Sequence, residues 1–186
     1  MGQFLAMGLT HEIITSRDEL RKNKISDEEL RQEVEQSLLF DLNMYDETET
    51  DKYLLFTLKN QVLETGLIPF LEAIYPVVYK KGNDIEYQDL LKQLRSMPST
   101  KWLDFTQKKS NDYFQFDEYA ESRYIRFSKD FRPNICLDFY CVILYLGHGK
   151  ISTEGIYEFM DIFKHCLHET FKEHPIVKSI QVYVTG

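Results

Sequence analysis

The chain has 186 residues, of which 43% are hydrophobic and 28% are charged, and this composition argues against intrinsic disorder. The formal net charge is −8 at pH 7, and no basic stripe stands out, so the sequence does not predict nucleic-acid binding. Ten acidic residues fall within residues 27–51, where Arg31 is the only base, so this segment carries the whole net negative charge of the chain.

The first third of the chain shows strand and helix patterns in turn. The predicted elements are a strand over 3–14, a short helix after Ser16, a helix from Ser26 to about Phe40, an acidic loop over 41–51 and a strand over 52–58. Ser16-x-x-Glu19 and Ser26-x-x-Glu29 both match a capping box, in which the Ser side chain caps the helix and the Glu side chain reaches back.

The next part of the chain is helical by its apolar spacing, and strand patterns dominate after that. The predicted elements are a helix over 60–79 that Gly66, Pro69 and Pro76 break or kink, a helix over 85–97, a short helix around Trp102, strands over 112–117 and 123–128, a strand over 135–146, a helix from Ser152 or Thr153 to about Lys172, and a strand over 176–184. Residues 135–146 are apolar on both faces after Asp138, which predicts a central strand.

These patterns predict the α+β class for the fold. We expect a single domain over residues 1–186, in which a mixed β-sheet of five or six strands has helices packed on it. The last three elements form a C-terminal β-α-β unit.

Cysteine usage and apolar runs indicate the compartment. The cysteines are Cys136, Cys141 and Cys166; they form no CxxC pair and lie among apolar residues, which predicts reduced core thiols. The N-terminus lacks a secretory signal, and no apolar run is long enough to span a bilayer. We therefore expect a cytoplasmic, soluble protein that does not contact membranes.

No motif predicts a metal, a cofactor or a catalytic residue. An EF-hand beginning at Asp41 fails because Asp46 stands where the loop needs Gly and Lys52 where it needs Glu. The helix face with Asp161, His165 and His168 is interpreted as a solvated face.

The acidic loop is the primary candidate site. Carboxylates concentrated on one surface steer a basic protein partner by complementary charge, as in immunity or antitoxin-type proteins that inhibit a basic toxin or nuclease. A solvated loop without a partner is the plain alternative. The predicted contact residues are Asp41, Tyr45, Asp46, Glu47, Glu49 and Asp51, with Tyr45 as an anchor because Tyr is common at interface hot spots.

Two other functions stay open. A small-ligand or anion-binding enzyme would use Asp138 and the turn Gly147-His148-Gly149-Lys150, because glycine-rich turns at helix N-termini bind anions. Its anion-binding residues would be His148, Lys150, Ser152 and Thr153. A structural subunit of an assembly is the other function, and an exposed apolar patch would favour it.

Overall fold

A computed structural model provides the fold. It describes residues 4–78, 84–108, 118–125, 134–146, 153–164 and 173–185. The predicted α+β class is confirmed, because helices accompany one six-stranded sheet.

The described elements agree in order with most of the predicted ones. The strands are β1 (Phe4–Ser16), β2 (Tyr45–Glu49), β3 (Tyr53–Leu58), β4 (Glu118–Ile125), β5 (Ile135–Leu146) and β6 (Ile180–Thr185). The α-helices are α1 (Arg17–Lys22), α2 (Asp27–Ser37), α3 (Asn60–Val78), α4 (Asp84–Ser96), α5 (Trp102–Lys108) and α6 (Thr153–Lys164). Short 3-10 helices cover Leu42–Met44, Ser99–Lys101 and Pro175–Ser179. The strand predicted over 112–117 lies outside the described residues.

The long strand β1 organises the sheet. The strand order is β2-β3-β1-β5-β4, and β6 also pairs with β1. The first part of β1 pairs with β6 and its last part pairs with β3, both antiparallel. The predicted C-terminal β-α-β unit is present as β5, α6 and β6, and both of its strands have β1 as a neighbour. β5 lies inside the strand order, as its apolar faces predict.

The chain separates into two compact units, which are described one at a time. The acidic unit comprises Thr10–Lys59 and Glu118–Cys141. The helix-rich unit comprises Met1–Leu9, Asn60–Asp117 and Val142–Gly186.

In the helix-rich unit, α3 continues through Gly66, Pro69 and Pro76, so these residues do not break the helix, and the predicted kink stays a prediction. The helix is held by a stripe of buried side chains that includes Leu63, Leu67, Phe70 and Leu71, while Pro69 is on the exposed side. Gly66 is buried where the helix meets the turn Pro175–Ser179. A Cβ there would lie 2.6 Å from Cε1 of His174 and 2.8 Å from Cβ of Ile176, so this close contact requires glycine.

Two other elements of this unit have apolar residues on an exposed face. In α6, Phe159 and Ile162 are buried, whereas Ile156 and Met160 are exposed. In β6, Tyr183 is buried and the neighbouring valines Val182 and Val184 are exposed.

In the acidic unit, one of the two capping boxes forms. Ser26 Oγ accepts the N–H of Glu29 at 3.3 Å, and Glu29 accepts the N–H of Ser26 at 2.9 Å. Ser16 makes no such bond, because Glu19 accepts the backbone N–H of Cys136 on β5 at 3.1 Å. Glu19 therefore joins α1 to the sheet instead of closing its own helix end.

The segment 41–51, predicted as a loop, is mostly regular structure. It contains the turn Leu42–Met44 and strand β2, whose five residues pair antiparallel with β3 from Tyr45 opposite Leu58 to Glu49 opposite Leu54. Pairing with the apolar strand β3 overrides the low strand propensity of Asp and Glu.

Two of the observations behind the expected compartment, the lack of a membrane-spanning segment and the reduced cysteines, can be compared with the described residues. No helix within the described residues is long and apolar enough to cross a bilayer. Neither Cys136 nor Cys141 is in a disulfide, and Cys166 lies outside the described residues.

Candidate functional site

The acidic residues of α2 and β2 lie next to each other in the acidic unit. Arg31 on α2 donates from Nε to Glu47 Oε2 at 2.8 Å and from Nη2 to Glu47 Oε1 at 2.6 Å. This bidentate bond raises the pKa of the Arg31 guanidinium, and it ties the helix to the strand. The only base of residues 27–51 therefore joins two acidic segments into one surface.

A groove of about 320 Å³ lies between α2 and β2. Glu28, Glu35 and Glu47 line it together with Arg31, and Tyr45 and Phe56 are among its apolar lining. Glu35 also accepts the backbone N–H of Leu42, another residue that lines the groove, at 3.3 Å. We call the groove and the exposed acids around it, on α2 and from Asp46 to Asp51, the acidic surface.

Tyr45 is not an exposed anchor. Its side chain is 4% exposed, its hydroxyl donates to the carbonyl of Thr10 at 3.0 Å, and its ring meets Phe40 edge-on with centroids 6.3 Å apart. Alternation along β2 places Tyr45 on the same face as the buried residues of β3, so the ring belongs to the core. Tyr45 is therefore a buried residue at the groove, and its predicted contact with a partner stays a prediction.

Glu49 belongs to an ion-pair network with a buried arginine. Arg17 is 7% exposed; its Nη1 lies 2.5 Å from Asp27 Oδ1 and its Nη2 lies 2.5 Å from Glu49 Oε1. The hydrogen bond that Arg17 donates to Asp27, followed by the charges of Asp27 and Glu49, raises the pKa of Arg17 despite its desolvation. Arg17 thereby links the start of α1 to both acidic segments.

The remaining acids of the segment differ in their contacts. Asp41 accepts the N–H of Asn43 at 3.2 Å and so caps the turn Leu42–Met44. Asp46 and Asp51 are exposed, and within the described part of the chain neither forms an ion pair. Asp46 and Asp51 are therefore available to a partner.

Sequence reasoning gave no role to Arg17 or Arg31. Arg31 could have been found, because it is the only base among the ten acids of residues 27–51, whereas Arg17 is followed closely by Arg21 and other bases and gives no such signal. The structure gives each two carboxylate neighbours, Asp27 and Glu49 for Arg17 and Glu28 and Glu47 for Arg31.

The alternative anion site is described only in part. Asp138 on β5 is half-buried and accepts the hydroxyl of Ser122 at 2.6 Å. The Cys136 thiol lies 3.9 Å from the same oxygen, and burial, followed by the charge of Asp138, raises its pKa. His148, Lys150 and Ser152 lie outside the described residues, and Thr153 is the first residue of α6. Whether these residues converge with Asp138 therefore stays a prediction.

His11 on β1 is the one histidine of the acidic unit. It is 6% exposed, and desolvation lowers its pKa to about 4, so the imidazole is neutral at pH 7. No group of three or more His, Cys, Asp or Glu side chains within the described ranges has the geometry to hold a metal ion.

Comparison with protein-family models, with curated proteins and with solved structures finds no match for this chain.

Proposed function

We propose that the protein is a non-enzymatic binding module whose acidic surface docks a basic protein partner. The observation that carries this proposal is the Arg31–Glu47 ion pair, which joins the acids of α2 and β2 around one groove. A concentrated negative field accelerates encounter with a positively charged surface. A basic toxin or nuclease that this protein inhibits, as an immunity or antitoxin-type protein, is the specific form of partner that we propose.

The reduced state of the described cysteines supports a reducing compartment for this activity. Cys136 and Cys141 form no disulfide, and cytoplasmic proteins keep their thiols reduced. We accordingly place the proposed activity in the cytoplasm.

The contact residues in this proposal differ from the predicted set. Asp46 and Asp51 are exposed and outside the ion pairs of the described chain, so they contribute field without holding the fold. Glu28 and Glu35 on α2 join them, since both line the groove. Glu47 and Glu49 contribute charge, but part of that charge is neutralised by Arg31 and Arg17.

Charge reversal at the two available acids tests the proposal. The partner is captured from native extract on immobilised wild-type protein, purified, and its association rate is measured at several salt concentrations. The double variant Asp46→Lys/Asp51→Lys should associate about tenfold more slowly at low salt. The difference should vanish near 1 M salt, where the screening length is only about 3 Å.

A matched variant separates local charge from net charge. Asp104→Lys/Asp161→Lys makes the same change in net charge at exposed acids of the helix-rich unit. It should leave the association rate within about twofold of wild type if the acidic surface is the contact. The proposal would be contradicted if the two double variants slowed association equally, or if neither of them slowed it.

A further inference from the structure

Strand β2 is at the end of the strand order, and its backbone hydrogen bonds alternate between two directions. Lys59 N–H donates to the carbonyl of Met44, and Thr50 N–H donates to the carbonyl of Tyr53, both at 2.9 Å. In an antiparallel ladder every second residue bonds to the partner strand. Asp46 and Thr48 therefore direct their N–H and C=O groups toward β3, and Glu47 and Glu49 direct theirs away from it.

The outward groups of Glu47 and Glu49 form an open sheet edge. Within the described chain no strand follows β2 on that side. Such an edge is a template for another strand, and extended peptides add to sheet edges through main-chain hydrogen bonds.

We propose that this edge binds an extended basic segment of the partner as an additional strand. The inference rests on the proposed function and names how the partner is held at the acidic surface. The main-chain groups of Glu47 and Glu49 supply the hydrogen bonds, and the carboxylates beside them select Lys or Arg in the added segment.

The charges along β2 argue for a basic segment over a second copy of this chain. Three of the six residues from Tyr45 to Thr50 are acidic, namely Asp46, Glu47 and Glu49, and none is basic. Two β2 edges side by side would place carboxylates against carboxylates, and like charges opposite each other destabilise a strand pair. A segment with alternating Lys or Arg instead places opposite charges beside Glu47 and Glu49, which share one face of β2.

The side-chain contacts of β2 keep the edge in place before a partner binds. Glu47 is held by Arg31 of α2 and Glu49 by Arg17 of α1. The turn after the strand is closed by Thr50 and Tyr53, whose N–H donates to Thr50 Oγ1 at 2.9 Å. An ordered edge loses less conformational entropy when a strand adds to it.

Amide hydrogen exchange measured by NMR tests this mode of binding. The probe is a short, end-capped peptide that alternates Lys with Thr, added to wild-type protein at saturation. The amides of Glu47 and Glu49 should exchange at least about tenfold more slowly in the presence of the peptide. The exchange rates of Asp46 and Thr48, whose amides are already bonded to β3, should not change.

Two control peptides complete the test. One has the same residues with alternate backbone nitrogens methylated, so it keeps the charge and loses the N–H donors along one edge. It should not slow the exchange of the Glu47 and Glu49 amides. The other replaces each Lys with Glu, and it should not bind. Equal protection by the acidic peptide would overturn the charge selection.

The outcomes separate this inference from the proposed function. If the Lys peptide binds in a salt-sensitive way and Glu47 and Glu49 exchange as before, strand addition is wrong and the acidic surface keeps its proposed role. If neither basic peptide binds, strand addition is also wrong. The association rates of Asp46→Lys/Asp51→Lys with the captured partner then decide the proposed function separately.

Discussion

The two faces of strand β2 carry the same kind of charge and have different surroundings. On one face, Glu47 and Glu49 follow the buried ring of Tyr45 and bind Arg31 and Arg17. On the other face, Asp46 is exposed and forms no ion pair within the described chain. The difference teaches that the number of acids in a segment does not measure the charge available to a partner, because part of it holds the fold.

The largest expected effect on stability is at Arg17, which forms ion pairs with Asp27 and Glu49. Arg17→Met leaves the carboxylates of Asp27 and Glu49 without their buried cation, so the free energy of unfolding should fall by about 2 to 3 kcal/mol. Urea unfolding followed by circular dichroism measures it.

Arg21 on the same helix is the matched control. Its side chain is 67% exposed and its ion pair with Asp18 is a surface pair. Arg21→Met should change the unfolding free energy by less than about 0.5 kcal/mol. A similar loss in the two variants would show that Arg17 does not hold the acidic segments together.

The second effect is a pH dependence of stability that comes from the buried His11. Because burial lowers the pKa of His11 to about 4, the unfolded chain binds more protons than the folded one between that value and about 6.5. Stability therefore falls as the pH falls through this range, by about 2 kcal/mol from pH 7 to pH 5.

His11→Gln isolates that contribution. The variant has no imidazole to protonate, so its unfolding free energy should be nearly flat from pH 7 to pH 5, whatever its absolute value. An unchanged slope in the variant would assign the pH dependence to groups other than His11.

The third effect compares two acids that share one arginine. Glu47 binds Arg31 bidentately with both side chains about one-third exposed, whereas Glu28 is 69% exposed and 3.4 Å from it. Glu47→Gln should lower the unfolding free energy by about 1 kcal/mol, and Glu28→Gln by a few tenths at most, about 0.3 kcal/mol. Thermal unfolding at low salt ranks them; a larger loss for Glu28→Gln would contradict the bidentate assignment.

Much of the fold could be predicted because local patterns agree with tertiary structure there. The capping box at Ser26 and the two apolar faces of β5 each indicate their element from a few residues. Strand β2 could not be predicted because three of its five residues are Asp or Glu, which have low strand propensity. Its pairing with β3 makes it a strand. Gly66 and Pro69 predict a break or a kink in α3 by their low helix propensity. The helix is continuous because the burial of its apolar stripe outweighs that propensity.

The candidate site could be predicted as a segment and not as a surface. The concentration of acids in residues 27–51 is visible in the sequence, and Asp46 and Asp51 are exposed as expected. The burial of Tyr45 depends on which face of β2 meets the core, and the roles of Glu47 and Glu49 depend on the arginines they meet, Arg31 within the segment and Arg17 outside it. Neither the face nor the pairing can be read from the local sequence.

The most direct test of the difference between the ion-paired and the unpaired acids is the unfolding free energy of two double variants that each remove two negative charges. Asp46→Asn/Asp51→Asn takes them from the available acids, and Glu47→Gln/Glu49→Gln takes them from the acids bound to Arg31 and Arg17. The account predicts a change below about 0.5 kcal/mol for the first variant and a loss of about 1.5 kcal/mol for the second. Equal losses, or a larger loss for the first variant, would contradict it.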